Sequence, residues 1–184
     1  FYSDLKKVLA LNKTNFFQLR LKNTSLKKQI FIGRKIKKIC KFYKVKFLIN
    51  DNPNVVKKIN ADGCHLGQKD MKLYDTRDLM GNKIVGVTCH NSIKLVKKAI
   101  KNNADYIALG AFNFSKTKKV KYRASINTLK KVKRITNLPI VAIGGINDQN
   151  YKKLLLNKAN FLAISSYIWN NKKLKPIEAI KKLK

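Results

Sequence analysis

Seven short apolar runs, at 16–21, 47–50, 63–67, 84–89, 106–112, 140–145 and 161–166, limit the folds open to this chain more than any other feature. Most are near-continuous in hydrophobicity instead of alternating with polar residues. A strand with one solvated face alternates, whereas a continuously apolar strand is covered on both faces, as in a parallel sheet flanked by helices. Helix-period patterns fill the intervals. One opens at Ser25, a residue type suited to an N-cap, and brings Leu26, Ile30, Ile32, Ile36, Ile39 and Cys40 to one side. A second opens at Asn91-Ser92 and carries Ile93, Val96 and Ile100. Others are expected at 52–59, 73–80, 125–135, 148–156 and 176–183. Asn60-Ala61-Asp62, Asn103-Ala104-Asp105 and Lys158-Ala159-Asn160 each stand between a helix pattern and the next strand. One helix-to-strand turn is being reused, the mark of repeated βα units.

The chain opens with a helical pattern at 3–11, not with a strand. A closed (β/α)8 barrel takes eight strands and typically about 250 residues. The expectation is therefore an α/β chain of the TIM-barrel class, one domain over 1–184, whose first strand belongs upstream of Phe1. An open doubly wound sheet is the alternative. With 184 residues, 45% of them hydrophobic, the chain can fill such a core, which excludes a disordered basic tail. No apolar run approaches the ~18 residues of a membrane-spanning helix, so no membrane partner is expected. Cys40, Cys64 and Cys89 lack a CxxC spacing and read as buried thiols in a reducing cytoplasm.

The formal net charge is +33, from 42 Lys+Arg against 9 Asp+Glu. Arg20, Arg34, Arg77, Arg123 and Arg134 are the only arginines, and lysine pairs such as Lys57-Lys58, Lys97-Lys98 and Lys152-Lys153 recur throughout. A nucleic-acid stripe would concentrate its charge and interleave Arg with aromatics. A solvated outer surface in a chain rich in Lys, Asn and Ile accounts better for this spread, so no specific nucleic-acid partner is expected. The charge still attracts anionic substrates.

In a barrel, chemistry sits at the C-terminal ends of the strands and in the loops that follow. The first end carries Gln18, Arg20 and Lys22, spaced by two and so on one face while the strand persists. Two inward cations call for an anion; a solvated edge strand is the plainer reading. The next two ends carry Asn50-Asp51 and Gly67-Gln68-Lys69-Asp70 in a chain short of acids. Paired carboxylates with neighbouring cations suit Mg2+ bridging to a diphosphate, although Asp51, two residues before Pro53, could simply cap the next helix. Gly144-Gly145 and Ser165-Ser166 follow late strands, where barrels hold phosphate. The segment 112–119 adds hydroxyls and ammonium groups, or is simply an exposed basic loop. Cys64-His65 and Cys89-His90 do not make a zinc site, because adjacent strand residues point to opposite faces and only two ligands could converge. His65 and His90 are expected to be packed.

Together these stretches resemble the thiamine phosphate synthase family over nearly the whole chain. They are Gln18-Leu19-Arg20-Leu21-Lys22, Ile49-Asn50-Asp51, Ala61-Asp62-Gly63-Cys64-His65-Leu66-Gly67-Gln68-Lys69-Asp70-Met71, Gly86-Val87-Thr88-Cys89-His90, Ala104-Asp105-Tyr106 and Val141-Ala142-Ile143-Gly144-Gly145-Ile146. The resemblance implies a transferase that joins hydroxymethylpyrimidine diphosphate to thiazole phosphate. It implies that Gln18, Arg20, Lys22 and Asn50 hold the pyrimidine diphosphate, and that Asp51 and Asp70 bind Mg2+. Thr88 would contact the pyrimidine where the family more often has Ser. Lys118 would neutralise the leaving diphosphate beside Arg20 and Lys22, these three being the catalytic groups. Ser115 and Thr117 would meet the thiazole, and Gly145, Ser165 and Ser166 its phosphate. Ser115-Lys116-Thr117-Lys118 departs from the family's usual Thr-Pro-Thr-Lys, and Phe114 from a usual proline.

Such chemistry needs no strong nucleophile or general base, in keeping with a sequence that offers no triad; positioning and charge stabilisation suffice. Two rivals are a thiazole tautomerase of the same fold, which would have no diphosphate for Asp51 and Asp70 to serve, and a basic nucleic-acid-binding module. A homo-oligomer is left open.

Overall fold

A computed structural model describes residues 1–114 and 121–183. The chain divides into two compact units, Phe1–Gly86 and Val87–Lys184, with β4 (Ile84–His90) running through the division. The first unit contains α1 (Tyr2–Leu9), β1 (Phe16–Leu19), α2 (Leu26–Phe42), β2 (Lys46–Asn50), α3 (Pro53–Ile59), β3 (Gly63–Leu66) and α4 (Leu73–Met80). The second contains α5 (Ile93–Lys101), β5 (Tyr106–Gly110), α6 (Ile126–Lys133), β6 (Ile140–Ile143), α7 (Tyr151–Leu156), β7 (Phe161–Ala163), α8 (Ser166–Trp169) and α9 (Pro176–Lys181). Among the described residues the sheet has seven strands in chain order. β1 with β2, β2 with β3, β5 with β6 and β6 with β7 pair in parallel.

The runs of β2, β3 and β5 are buried on both faces, as their continuity requires, whereas β1 and β7 are half-buried or exposed over most of their length. Phe47, Leu48 and Ile49 of β2 are all buried, and so are all four residues of β3. In the second unit Ile107, Ala108, Leu109 and Gly110 are buried in succession. Helices close over them with matching stripes: Ile36 and Cys40 from α2, Val55 and Val56 from α3, Leu129 and Val132 from α6. Ser25, Asn52, Ser92 and Ser125 cap α2, α3, α5 and α6, each accepting a bond from a first-turn backbone N–H.

The recurring tripeptide has a physical basis. Asn60, Asn103 and Lys158 all take left-handed φ, at 52°, 56° and 70°. The buried alanine after each then donates back to the helix, Ala61 to Val56 O, Ala104 to Ala99 O and Ala159 to Leu154 O, at 3.0, 3.1 and 3.1 Å. The third residue grips the neighbouring strand. Asp62 donates its N–H to Phe47 O and accepts from Phe47 N at 2.8 Å; Asn160 does the same to Ile140, with 2.9 Å for the side-chain bond. Lys44 reuses the left-handed bend without the polar grip, and Val45 N bonds Cys40 O at 2.9 Å.

The structure departs from the sequence reading mainly at strand ends. β1 stops at Leu19, so Arg20 and Lys22 lie beyond the strand, both exposed, and period-two alternation does not govern where they point. The 161–166 run splits into β7 and the short helix α8, because Ser165 and Ser166 O take up the N–H groups of Ile168, Trp169 and Asn170. No described helix is long and apolar enough to cross a membrane.

Candidate active site

Asp51 follows β2 in a left-handed conformation, φ 66°, which an aspartate tolerates better than most residues. Its N–H donates to His65 O at 2.8 Å, tying the end of β2 to β3. Asn52, not Asp51, is the N-cap of α3 and accepts from Val55 N at 3.3 Å. Capping therefore does not explain Asp51. Its side chain shares a hydrogen bond with Asp70.

Asp70 is aimed by the segment after β3. Its Oδ2 accepts from Gly67 N at 2.6 Å, and a methyl group at Gly67 would stand only 2.9 Å from that oxygen. The glycine is what lets the carboxylate fold back so closely. Burial first, and then the Asp70 carboxyl, push the Asp51 pKa up to about 6, against an opposing pull from Arg20 and Lys22. The first unit thus gathers two carboxylates under the field of two cations.

Beside them, Gln18 Nε2 donates to Asn50 Oδ1 at 2.5 Å, so these two side chains brace one another across β1 and β2. His65 is buried, and desolvation lowers its pKa to about 4, which leaves it neutral at physiological pH. The buried thiols of Cys40, Cys64 and Cys89 are each pushed up to about 12, chiefly by desolvation, and are unreactive protonated groups.

In the second unit Gly144 and Gly145 end β6 with φ 95° and 63°. Methyl groups there would collide with Ala111 and with the Phe114 carbonyl, respectively. The turn is pinned by Asn113 N to Gly144 O and by Asn150 Nδ2 to Gly145 O, both 3.0 Å. Ser165 precedes α8 with its hydroxyl making no capping bond, and Ser166 opens that helix. Thr88 is half-buried in β4. Ser115, Thr117 and Lys118 lie outside the described residues.

Sequence reasoning gave no partners to four residues on β4 and on either side of 115–120. His90, at the end of β4 with φ 53°, stacks on Tyr122 with ring centroids 4.4 Å apart. The Arg123 guanidinium lies over the Phe114 ring at 4.2 Å. Phe112 and Phe114 before a basic segment and Tyr122-Arg123 after it were the available signal.

The thiamine monophosphate synthase family model matches residues 2–168. The chain belongs to the thiamine monophosphate synthase family. It is 67% identical over 184 residues to the thiamine-phosphate synthase of Pelagibacter ubique, covering 100% of this chain and 89% of that one. It is 40% identical to the thiamine-phosphate synthase of Clostridium tetani, covering 94% and 84%. The thiamine phosphate pyrophosphorylase structure from Pyrococcus furiosus superposes with a TM-score of 0.89 at 25% identity, covering 98% and 86%.

Two carboxyl groups held in contact cost the fold stability once both are charged. The raised Asp51 pKa means that the folded protein keeps a proton between its ordinary value of 3.8 and about 6, while the unfolded chain has lost it. Stability in metal-free buffer should fall as pH rises through that window, with the loss complete above about 6. Asn tolerates the left-handed conformation, so Asp51→Asn should be the more stable protein at pH 7.5, by on the order of 1 kcal/mol after solvent screening. At pH 4 the advantage should vanish. Thermal melts of both proteins at the two pH values check this; an equal difference at both would refute it.

Proposed function

We propose that this chain joins hydroxymethylpyrimidine diphosphate to thiazole phosphate, releasing diphosphate and forming thiamine phosphate. The observation that carries the reading is the Asp51–Asp70 carboxyl contact under the charges of Arg20 and Lys22. A tautomerase has no diphosphate to occupy such a set. The proposed architecture is a (β/α)8 barrel of one domain, and the proposed compartment is the cytoplasm.

Two closely held carboxylates are hard oxygen donors of the kind that Mg2+ accepts together with phosphate oxygens. Asp51 and Asp70 would hold it, and when bound it would supply charge neutralisation on the diphosphate. Arg20, Lys22 and Lys118 bind the diphosphate oxygens and stabilise the negative charge that grows as the C–O bond breaks. Gln18 and Asn50 orient the pyrimidine diphosphate, and Thr88 contacts the pyrimidine ring. Gly145, Ser165 and Ser166 receive the thiazole phosphate through backbone N–H and hydroxyl donors, with Ser115 and Thr117 against the thiazole. The pyrimidinylmethyl cation is then captured by the thiazole nitrogen, which needs no protein nucleophile. The test is direct: purified protein with both substrates and Mg2+ should produce thiamine phosphate and diphosphate, and excess chelator should stop it. Turnover that survives complete chelation would remove the metal from the proposal; no product under any condition would remove the function.

The surface charge has no part in this reading. Lys152, Lys153, Lys181 and Lys182 are exposed, and replacing all four by Gln should leave kcat within about 2-fold of the parent. Steady-state assay with a circular-dichroism check of folding decides this. A large loss of kcat with an intact fold would give those lysines a catalytic or partner role.

A further inference from the structure

At the turn that ends β6 the carbonyls are bonded and the next N–H groups are not. Gly144 O accepts from Asn113 N, and Gly145 O accepts from the Asn150 side-chain amide, each at 3.0 Å. Both peptides are trans, and in a trans peptide the N–H points opposite to the C=O. With the carbonyls turned toward Asn113 and Asn150, the N–H groups of Gly145 and Ile146 face the other way. Neither has a hydrogen-bond partner among the described residues. Ile146 is only 4% exposed, and a backbone donor left over on so buried a residue calls for an acceptor.

Asn150 holds this arrangement instead of capping its own helix. It stands at the N-cap position of α7, and asparagine is among the best capping residues, yet its side chain makes no capping bond there. It reaches back to the turn, where Nδ2 donates to Gly145 O and Oδ1 accepts from Asn147 N at 3.0 Å. These partners fix which way round the amide lies, because a backbone carbonyl can only accept and an N–H can only donate. Asn147 is itself held, its side chain accepting from Gln149 N at 3.0 Å and its carbonyl from Tyr151 N at 3.2 Å. The Asn147 N–H is therefore occupied, and the row of unbonded donors ends at Ile146.

We infer that Asn150 is a positioning residue for phosphate: it turns the Gly145–Ile146 peptide so that the Ile146 N–H joins that of Gly145 in binding the anion. Successive backbone N–H groups at left-handed turns form anion sites of this kind, and Gly144 and Gly145 have φ 95° and 63°. Asn150 touches no substrate and acts through the peptide it orients. The inference rests on the proposed function for the identity of the phosphate, that of the thiazole substrate, and adds Asn150 and Ile146 to the residues that serve it.

Inorganic phosphate titrated into nitrogen-15-labelled protein is the first test. In the parent the amide signals of Gly145 and Ile146 should move together and saturate with one Kd. Asn150→Ser can cap α7 in the ordinary way but is too short to span Gly145 O and Asn147 N. It should melt within a few degrees of the parent and bind phosphate at those two amides roughly 10-fold more weakly, the effect of one or two lost neutral hydrogen bonds. Asn150→Ala also lacks a cap, and should combine the same loss of affinity with a lower melting temperature. In the synthase assay Asn150→Ser should raise KM for thiazole phosphate by about 10-fold, with kcat and KM for the pyrimidine diphosphate within about 2-fold of the parent. A purely structural role would lower the melting temperature of the alanine variant and leave the serine variant with parental phosphate affinity, and that result overturns the inference. Phosphate that leaves the Ile146 amide unmoved in the parent overturns it as well. Failure of the proposed function is separate: it would appear as an inactive parent, while the phosphate titration still reads the role of Asn150.

Discussion

Arg20→Ala is expected to slow turnover at saturating substrates by roughly 30- to 1,000-fold while the protein stays folded, the range seen when one preorganised charge contact is removed from a transition state. Arg20 is exposed beyond the end of β1 and takes no part in the core, so its loss should barely move the melting temperature. A second readout is tied to the same geometry. Arg20 is the stronger of the two cations opposing the rise of the Asp51 pKa, so its removal should move the Asp51 titration to higher pH. The acid limb of the kcat/KM profile should move upward with it. Lys118→Ala is expected to slow the same step comparably, because its proposed partner is the same leaving group. Equal turnover at saturation in either variant would remove that residue from diphosphate departure.

The other large effect is expected at the glycine turn. Gly145→Ala should destabilise the protein by about 3 kcal/mol, combining crowding with the cost of a left-handed alanine, and should also abolish thiazole phosphate binding. The added methyl would run into the Phe114 carbonyl and the Asn113 backbone, so the foot of the neighbouring segment must shift to admit it. Gly81→Ala is the control. Gly81 also has positive φ, at 55°, but nothing stands within 4 Å of a methyl placed there. It should cost only the conformational part, about 1 kcal/mol. Urea unfolding of the two variants separates the terms; equal destabilisation would mean that the close approach at Gly145 carries no energetic weight.

Much of the architecture was legible before any coordinates, for a local reason. A continuous apolar run is comfortable only where both of its faces are covered, and β2, β3 and β5 are buried along nearly their whole length. Capping is equally local: Ser25 and Ser92 accept the first-turn N–H groups that their side chains are shaped to reach. The reused tripeptide was visible as a pattern, although its work, a left-handed bend followed by a polar grip on Phe47 or Ile140, was not. Asp51 and Asp70 could be singled out because acids are scarce and both fall at strand ends, and family resemblance supplied roles for them.

Other features depended on groups distant in sequence and had no local signature. Where β1 stops is set by what Leu19 pairs with on β2, so alternation misjudged the reach of the strand toward Arg20 and Lys22. Whether Asp51 capped a helix or met Asp70 turned on which of two neighbours won the first-turn N–H, and Asn52 won it. The Asp51 pKa is a property of burial and of a carboxyl nineteen positions away, which spacing alone cannot weigh. The pairings of His90 with Tyr122 and Phe114 with Arg123 join residues on different turns of the chain. The sequence determined which segments could be strands, helices and turns, because those preferences reside in single residues and their near neighbours. Only the tertiary structure decided which side chains meet, because a contact energy belongs to a pair and the pair exists only once the backbone between them has been placed.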